Sequence, residues 1–66
     1  MSTIFNLLRK INRNSPFLWE VKMDGWNYSI LCDGNVAEDP ETGEPYLDMT
    51  EYECRKVLEE VLHDVI

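Results

Sequence analysis

The chain has little of what catalytic and exported proteins are usually built around: one histidine, two cysteines, three glycines, three prolines and no long apolar run in 66 residues. A lone histidine leaves no second imidazole for a metal pair or a proton relay. Cys32 and Cys54 are too far apart for a Cys-x-x-Cys redox or zinc motif, and no phosphate loop or dinucleotide fingerprint occurs. So few glycines exclude a collagen-like chain, and seven aromatic residues argue against disorder. The longest apolar cluster near the N-terminus (Ile4, Phe5, Leu7, Leu8) is broken by Asn6 and followed, not preceded, by Arg9 and Lys10. That is neither a signal peptide nor a membrane span. The expected compartment is the cytoplasm, with both thiols reduced and the Asn27-Tyr28-Ser29 sequon unused.

Positive charge is also scarce, and unevenly so. The formal net charge is −7, with 13 acids against six Lys and Arg. Residues 1–23 carry Arg9, Lys10, Arg13 and Lys22 against Glu20, a net of +3, whereas residues 24–66 carry twelve acids against Arg55 and Lys56, a net of −10. From Asp33 to Glu53 there are eight acids and no base. Such a field repels nucleic acid and attracts basic protein surfaces.

What is present reads as one small α+β domain over residues 1–66. Ile4, Leu7, Leu8 and Ile11 follow the i, i+3, i+4, i+7 spacing of an amphipathic helix over about 3–13, capped by Ser2 or Thr3 and ended by the run Asn12-Arg13-Asn14-Ser15-Pro16. Two alternating runs, Phe17–Met23 and Trp26–Cys32, flank Asp24-Gly25, the signature of a type I′ hairpin. Pairing outward from that dipeptide sets Met23 against Trp26, Val21 against Tyr28, Trp19 against Ile30 and Phe17 against Cys32 on an apolar face. The other face receives Lys22 with Asn27, Glu20 with Ser29 and Leu18 with Leu31. A weaker hairpin over 35–38 and 44–48 competes with one long acidic loop. The sheet is thus a hairpin or a three- to four-stranded meander. Thr50-Glu51-Tyr52-Glu53 is a capping box that opens a helix over 51–65, with Cys54, Val57, Leu58, Val61, Leu62 and Val65 on one stripe. Both helices are expected on the Phe17/Trp19/Val21/Met23 face of the sheet, with the Leu18/Leu31 face partly open.

The candidate chemistries fail in turn. His63 is nearly opposite the apolar stripe that carries Cys54, so no nucleophile and base meet, and no catalytic residue is assigned. A calcium loop started at Asp39 fails at its glycine, because Gly43 falls at loop position 5, and at its last ligand, where Thr50 replaces Glu. No metal or cofactor is expected. Arg9, Lys10, Arg13 and Lys22 near Trp19 and Trp26 give a weak hint of nucleic-acid binding, opposed by the net charge and by the inward phase assigned to both tryptophans.

The remaining feature is the acidic surface formed by Asp33, Glu38, Asp39, Glu41, Glu44, Asp48, Glu51, Glu53, Glu59 and Glu60. The expectation is a non-enzymatic module that uses these acids to bind a basic partner, with carboxylates imitating the phosphates of a nucleic acid. In size and acidity it is similar in type to small virus- or mobile-element-encoded inhibitors of nucleic-acid-processing enzymes. No direct contact with nucleic acid or membrane is expected. The alternative is an accessory homodimer formed through the Leu18/Leu31 face, the acids serving only solubility.

Overall fold

Ile4, Leu7, Leu8 and Ile11 share one face of α1 (Thr3–Asn14), and all four are buried. This is a computed structural model that describes residues 3–66. Thr3 is already helical, and a cap at Ser2 lies outside the described residues. At the other end the Asn14 side-chain amide donates to the Lys10 carbonyl and the Ser15 N–H to that of Ile11, after which Pro16 stops the helix.

Strands β1 (Trp19–Asp24), β2 (Asn27–Cys32) and β3 (Asn35–Val36) follow, in the spatial order β1-β2-β3 with both pairs antiparallel. Helix α2 (Glu51–Val65) closes the chain, opened by the expected capping box: Glu53 N–H donates to Thr50 Oγ1 and Thr50 N–H to the Glu53 carboxylate. The helices pack on each other and on one face of the sheet. Their common core is Ile4, Leu7, Leu8, Ile11, Ile30, Ala37, Cys54 and Leu58. The α+β two-layer architecture is therefore as the sequence indicates.

The register of the first hairpin is not. Val21 faces Ile30, Met23 faces Tyr28, Trp19 faces Cys32, and Asp24 pairs with Asn27, so the two-residue loop is Gly25-Trp26 instead of Asp24-Gly25. A type I′ loop at Asp24-Gly25 would need positive φ at both residues. Gly25 has φ +63° while Asp24 and Trp26 do not enter the positive region, the pattern of a type II′ turn with glycine first. Each strand has slid by one residue, which preserves the parity of every pair. Trp19, Val21 and Met23 still share a face with Tyr28, Ile30 and Cys32, so segregation of faces cannot distinguish the two registers. The consequences fall at the ends. Trp26 stands at the tip with 93% of its surface exposed, Phe17 lies before the strand at 53%, and Met23, next to the turn, is 51% exposed. None of the three is a core residue.

Type I′ geometry appears instead at the next Asp-Gly, where Asp33 (φ +53°) and Gly34 (φ +85°) link β2 to β3. Asp33 also ties back to the start of β1: its carboxylate accepts the Leu18 N–H at 2.8 Å and its own N–H donates to the Leu18 carbonyl at 2.7 Å.

Beyond β3 the chain leaves the edge of β2 and returns to it. Ala37 N–H donates to Ile30, Ile30 N–H to Tyr46, and Tyr28 and Met49 exchange both of their bonds. Residues 37–46 form a protruding arm, held by Tyr46 N–H to Ala37, a Glu38–Pro45 bridge and Asp39 N–H to Glu44. A short hairpin thus stands in place of an open acidic loop, but it pairs 37–39 with 44–46 and not 35–38 with 44–48, because Asn35 and Val36 pair with β2 instead.

The outward edge of β1 is managed by α1. The Asn12 side chain accepts the Trp19 N–H at 2.8 Å and donates to the Trp19 carbonyl at 2.9 Å, imitating one residue of a neighbouring strand. By the alternation of an antiparallel ladder, only Val21 and Met23 still present backbone groups on that edge, and Lys22 stands between them. On the face away from the helices, Leu31 lies opposite Val36 with Leu18 diagonal to it. Leu18 is 55% exposed and Val36 is exposed.

Candidate functional site

The sequence-expected acids separate into those that hold the fold and those that do not. Asp33 binds the Leu18 backbone, Glu53 completes the capping box, and Glu51 accepts the Tyr28 hydroxyl at 3.2 Å. Asp48 is a backbone feature, a left-handed residue at φ +51° where the chain turns into α2. Glu44 sits in the arm's turn, its N–H donating to Thr42 Oγ1. These five do not converge on one surface feature.

Asp39, Glu41, Glu59 and Glu60 do. They come from the tip of the arm and the outer side of α2, and together with Asp64 they line an open groove of about 720 Å³ that also includes Pro40, Lys56 and His63. Two local rules build it. The Asp39 carboxylate accepts the Glu41 N–H at 2.8 Å, an Asx turn that folds the arm's tip back. On α2, Glu60 and Asp64 are four residues apart and so lie above one another on the helix face. That spacing was available in the sequence, and Asp64 is the groove residue its reading missed. Glu38 lies off the groove, at the mouth of a smaller neighbouring depression that shares Pro40, Glu60 and Asp64 with it.

Little neutralises these carboxylates. The one ion pair among the described residues joins Lys56 to Glu59 at 3.7 Å, both side chains about half exposed, where such pairs contribute roughly 0–1 kcal/mol. Lys56 and Arg55 also approach the Tyr52 ring, at 5.5 and 5.4 Å from its centroid. Arg9, Lys10 and Arg13 are exposed along α1, on another element from the groove.

Neither thiol is shifted toward its thiolate form. Burial pushes Cys54 up to about 11, with the Glu51 charge adding to it, and burial followed by the Asp33 charge raises Cys32. Both remain neutral at ordinary pH. Exposed His63 opens onto the groove, whereas Cys54 is in the core. Among the described residues, no three His, Cys, Asp or Glu side chains converge to hold a metal ion. No helix there is long and apolar enough to cross a membrane.

The outward Trp26 removes one of the two reasons for setting nucleic acid aside, the inward phase of both tryptophans. The other, the net charge of −7, is undiminished, and the groove is lined by carboxylates that phosphates would meet. No family model matches the chain, and neither a curated protein nor a solved structure matches it.

Proposed function

We propose that this chain is a non-enzymatic protein-binding module whose acidic groove engages a basic surface of its partner. Such a surface is characteristic of nucleic-acid-processing proteins, and the module would occupy it as a nucleic-acid mimic. One observation carries the reading: four acids remote in sequence, from the arm and from α2, converge with Asp64 on one groove. Solubility alone requires no convergence, since dispersed charge serves it equally well. A concave carboxylate surface focuses its field, accelerates encounter with a basic partner and fixes orientation through complementary charge.

The test is capture of binding proteins on the immobilised chain at about 0.05 M and about 0.5 M salt, where screening lengths differ about threefold. A basic protein retained at low salt, lost at high salt and lost from a Glu41→Lys/Glu59→Lys variant supports the reading. Retention that ignores those reversals but fails with Arg9→Ser/Lys10→Ser would move the site to α1.

Exposed Leu18 and Val36, flanking partly buried Leu31, favour a second reading, a homodimer through the open sheet face. Sedimentation at tens of micromolar decides it. A concentration-dependent dimer abolished by Leu31→Glu is expected on that reading, and a monomer in both proteins ends it.

A further inference from the structure

Beside the groove lies a slot of about 250 Å³, walled by Trp19, Tyr46, Val57, Val61 and Val65. It is smaller than the roughly 300–1,000 Å³ of ordinary small-molecule sites, which leaves room for about one long side chain. The exposed Glu38, Glu60 and Asp64 also line it, and Pro40, Glu60 and Asp64 are shared with the open groove. Val57, Val61, Trp19 and Tyr46 touch the core from its margin, whereas Val65 lies beyond it at the end of α2. The slot is thus an apolar recess that the fold itself does not fill.

We propose that this slot receives one arginine side chain of the basic partner, an anchor that rests on the acidic-groove reading and gives it a specific point of attachment. The recess asks its occupant for two properties at once. Apolar and aromatic walls call for an aliphatic stem and a flat face, and three carboxylates at the mouth call for a cation at the end of that stem. A purely apolar residue would leave the acids unpaired as they lost water. A lysine would satisfy the charge, but its ammonium is strongly hydrated and presents no plane. A guanidinium is less strongly hydrated, stacks on aromatic rings and offers five donors in a fork that several carboxylates can share. The surroundings are already negative: the Tyr46 hydroxyl is raised first by burial and then by Asp39, Glu60, Glu41 and Asp64. A buried arginine ringed by weaker contacts is also the usual anchor of a protein interface.

The test titrates N-acetyl-arginine methylamide into the full chain, followed by amide, indole and methyl NMR shifts. Its neutral isostere, N-acetyl-citrulline methylamide, and the lysine analogue serve as comparators. Saturable shifts centred on the Trp19 indole, Tyr46 and the Val61 and Val65 methyls are expected, with arginine binding tighter than lysine and citrulline weakest. Val65→Phe, at a position outside the core, should fill the slot and abolish them. Glu60→Gln with Asp64→Asn should weaken binding by about tenfold, the loss of two charge-assisted hydrogen bonds shared with solvent. This second variant keeps the test decisive if the larger ring of Val65→Phe disturbs the helix end.

Shifts spread along the groove and indifferent to Val65→Phe would overturn the slot, as would no shift at all or equal response to citrulline. A deca-lysine peptide separates the two levels. If it binds the wild type and not Glu41→Lys/Glu59→Lys while the arginine probe fails, the slot is wrong and the acidic groove stands. If neither binds, both fall.

Discussion

Asp24-Gly25 and Asp33-Gly34 are the same dipeptide at the two ends of β2, and they close different turns. In the second, both residues are left-handed and form the loop itself, as a type I′ turn requires. In the first, Asp24 belongs to the strand and glycine opens the loop. The contrast shows that Asp-Gly specifies where a chain can reverse and leaves open which residue reverses first. That choice is made by the contacts beyond the turn. Sliding to the observed register sets Val21 over buried Ile30 and lets Leu18 exchange bonds with Asp33, so the two turns are fastened to each other through β2.

The largest effect should come from the strand both turns share. Ile30 is fully buried, and its backbone binds Tyr46 and Ala37 while its side chain sits beneath the helices. Ile30→Ala should cost roughly 2–5 kcal/mol in a urea melt. A cost below about 1 kcal/mol would mean that the second edge of β2 is not held as described.

The turns themselves should then respond differently to the same substitution. Asparagine tolerates the left-handed conformation of Gly34, so Gly34→Asn should change stability by only a few tenths of a kcal/mol. The first position of a type II′ turn admits essentially glycine alone, so Gly25→Asn should cost about 1 kcal/mol or more. Equal costs in thermal melts would indicate that both turns have the same geometry after all.

The aspartates extend the contrast. Asp33→Ala removes the acceptor of the Leu18 N–H, a loss of about 1 kcal/mol. Asp24→Ala removes an exposed side chain with no such bond and should fall within about 0.5 kcal/mol of wild type. Amide exchange at Leu18 should accelerate in the first variant and not in the second.

Most of the architecture was legible because it is carried by local rules. The 3.6-residue spacing of α1, the Thr50–Glu53 box and the alternation of β1 and β2 each identify an element without help from the rest. Register was not legible, because a one-residue slide of each strand keeps every side chain on its own face and the turn chemistry allows both loops. The acidity of the candidate surface was legible, but not which acids share a groove. Composition marks the 33–53 segment as acidic, yet cannot tell that Asp33, Glu51 and Glu53 are engaged by the fold while Asp39 and Glu41 meet α2. Convergence depends on two bridges of one residue each, Tyr28–Met49 to β2 and Glu38–Pro45 within the arm. Asp64 is set apart from the 33–53 segment in sequence, and only its place one turn beyond Glu60 on α2 brings it to the groove.

The smallest expected effect discriminates most sharply between the two registers. Pairing outward from Asp24-Gly25 sets Trp26 against Met23 on the helix-covered face, where removing so large a ring would cost roughly 3–5 kcal/mol. In the observed register Trp26 occupies the second loop position with 93% of its surface in solvent, and its truncation removes almost no buried area. Trp26→Ala should therefore lie within about 0.5 kcal/mol of wild type, as exposed substitutions generally do. Fluorescence supplies the independent half of the measurement. Trp19 is half buried with its indole N–H donating to Ser15 Oγ at 3.2 Å, so the two indoles differ in access to a soluble quencher. Acrylamide should quench the wild type in two components and Trp26→Ala in one, the less accessible. A destabilised variant that kept the more accessible component would place Trp26 inside and restore the Asp24-Gly25 loop.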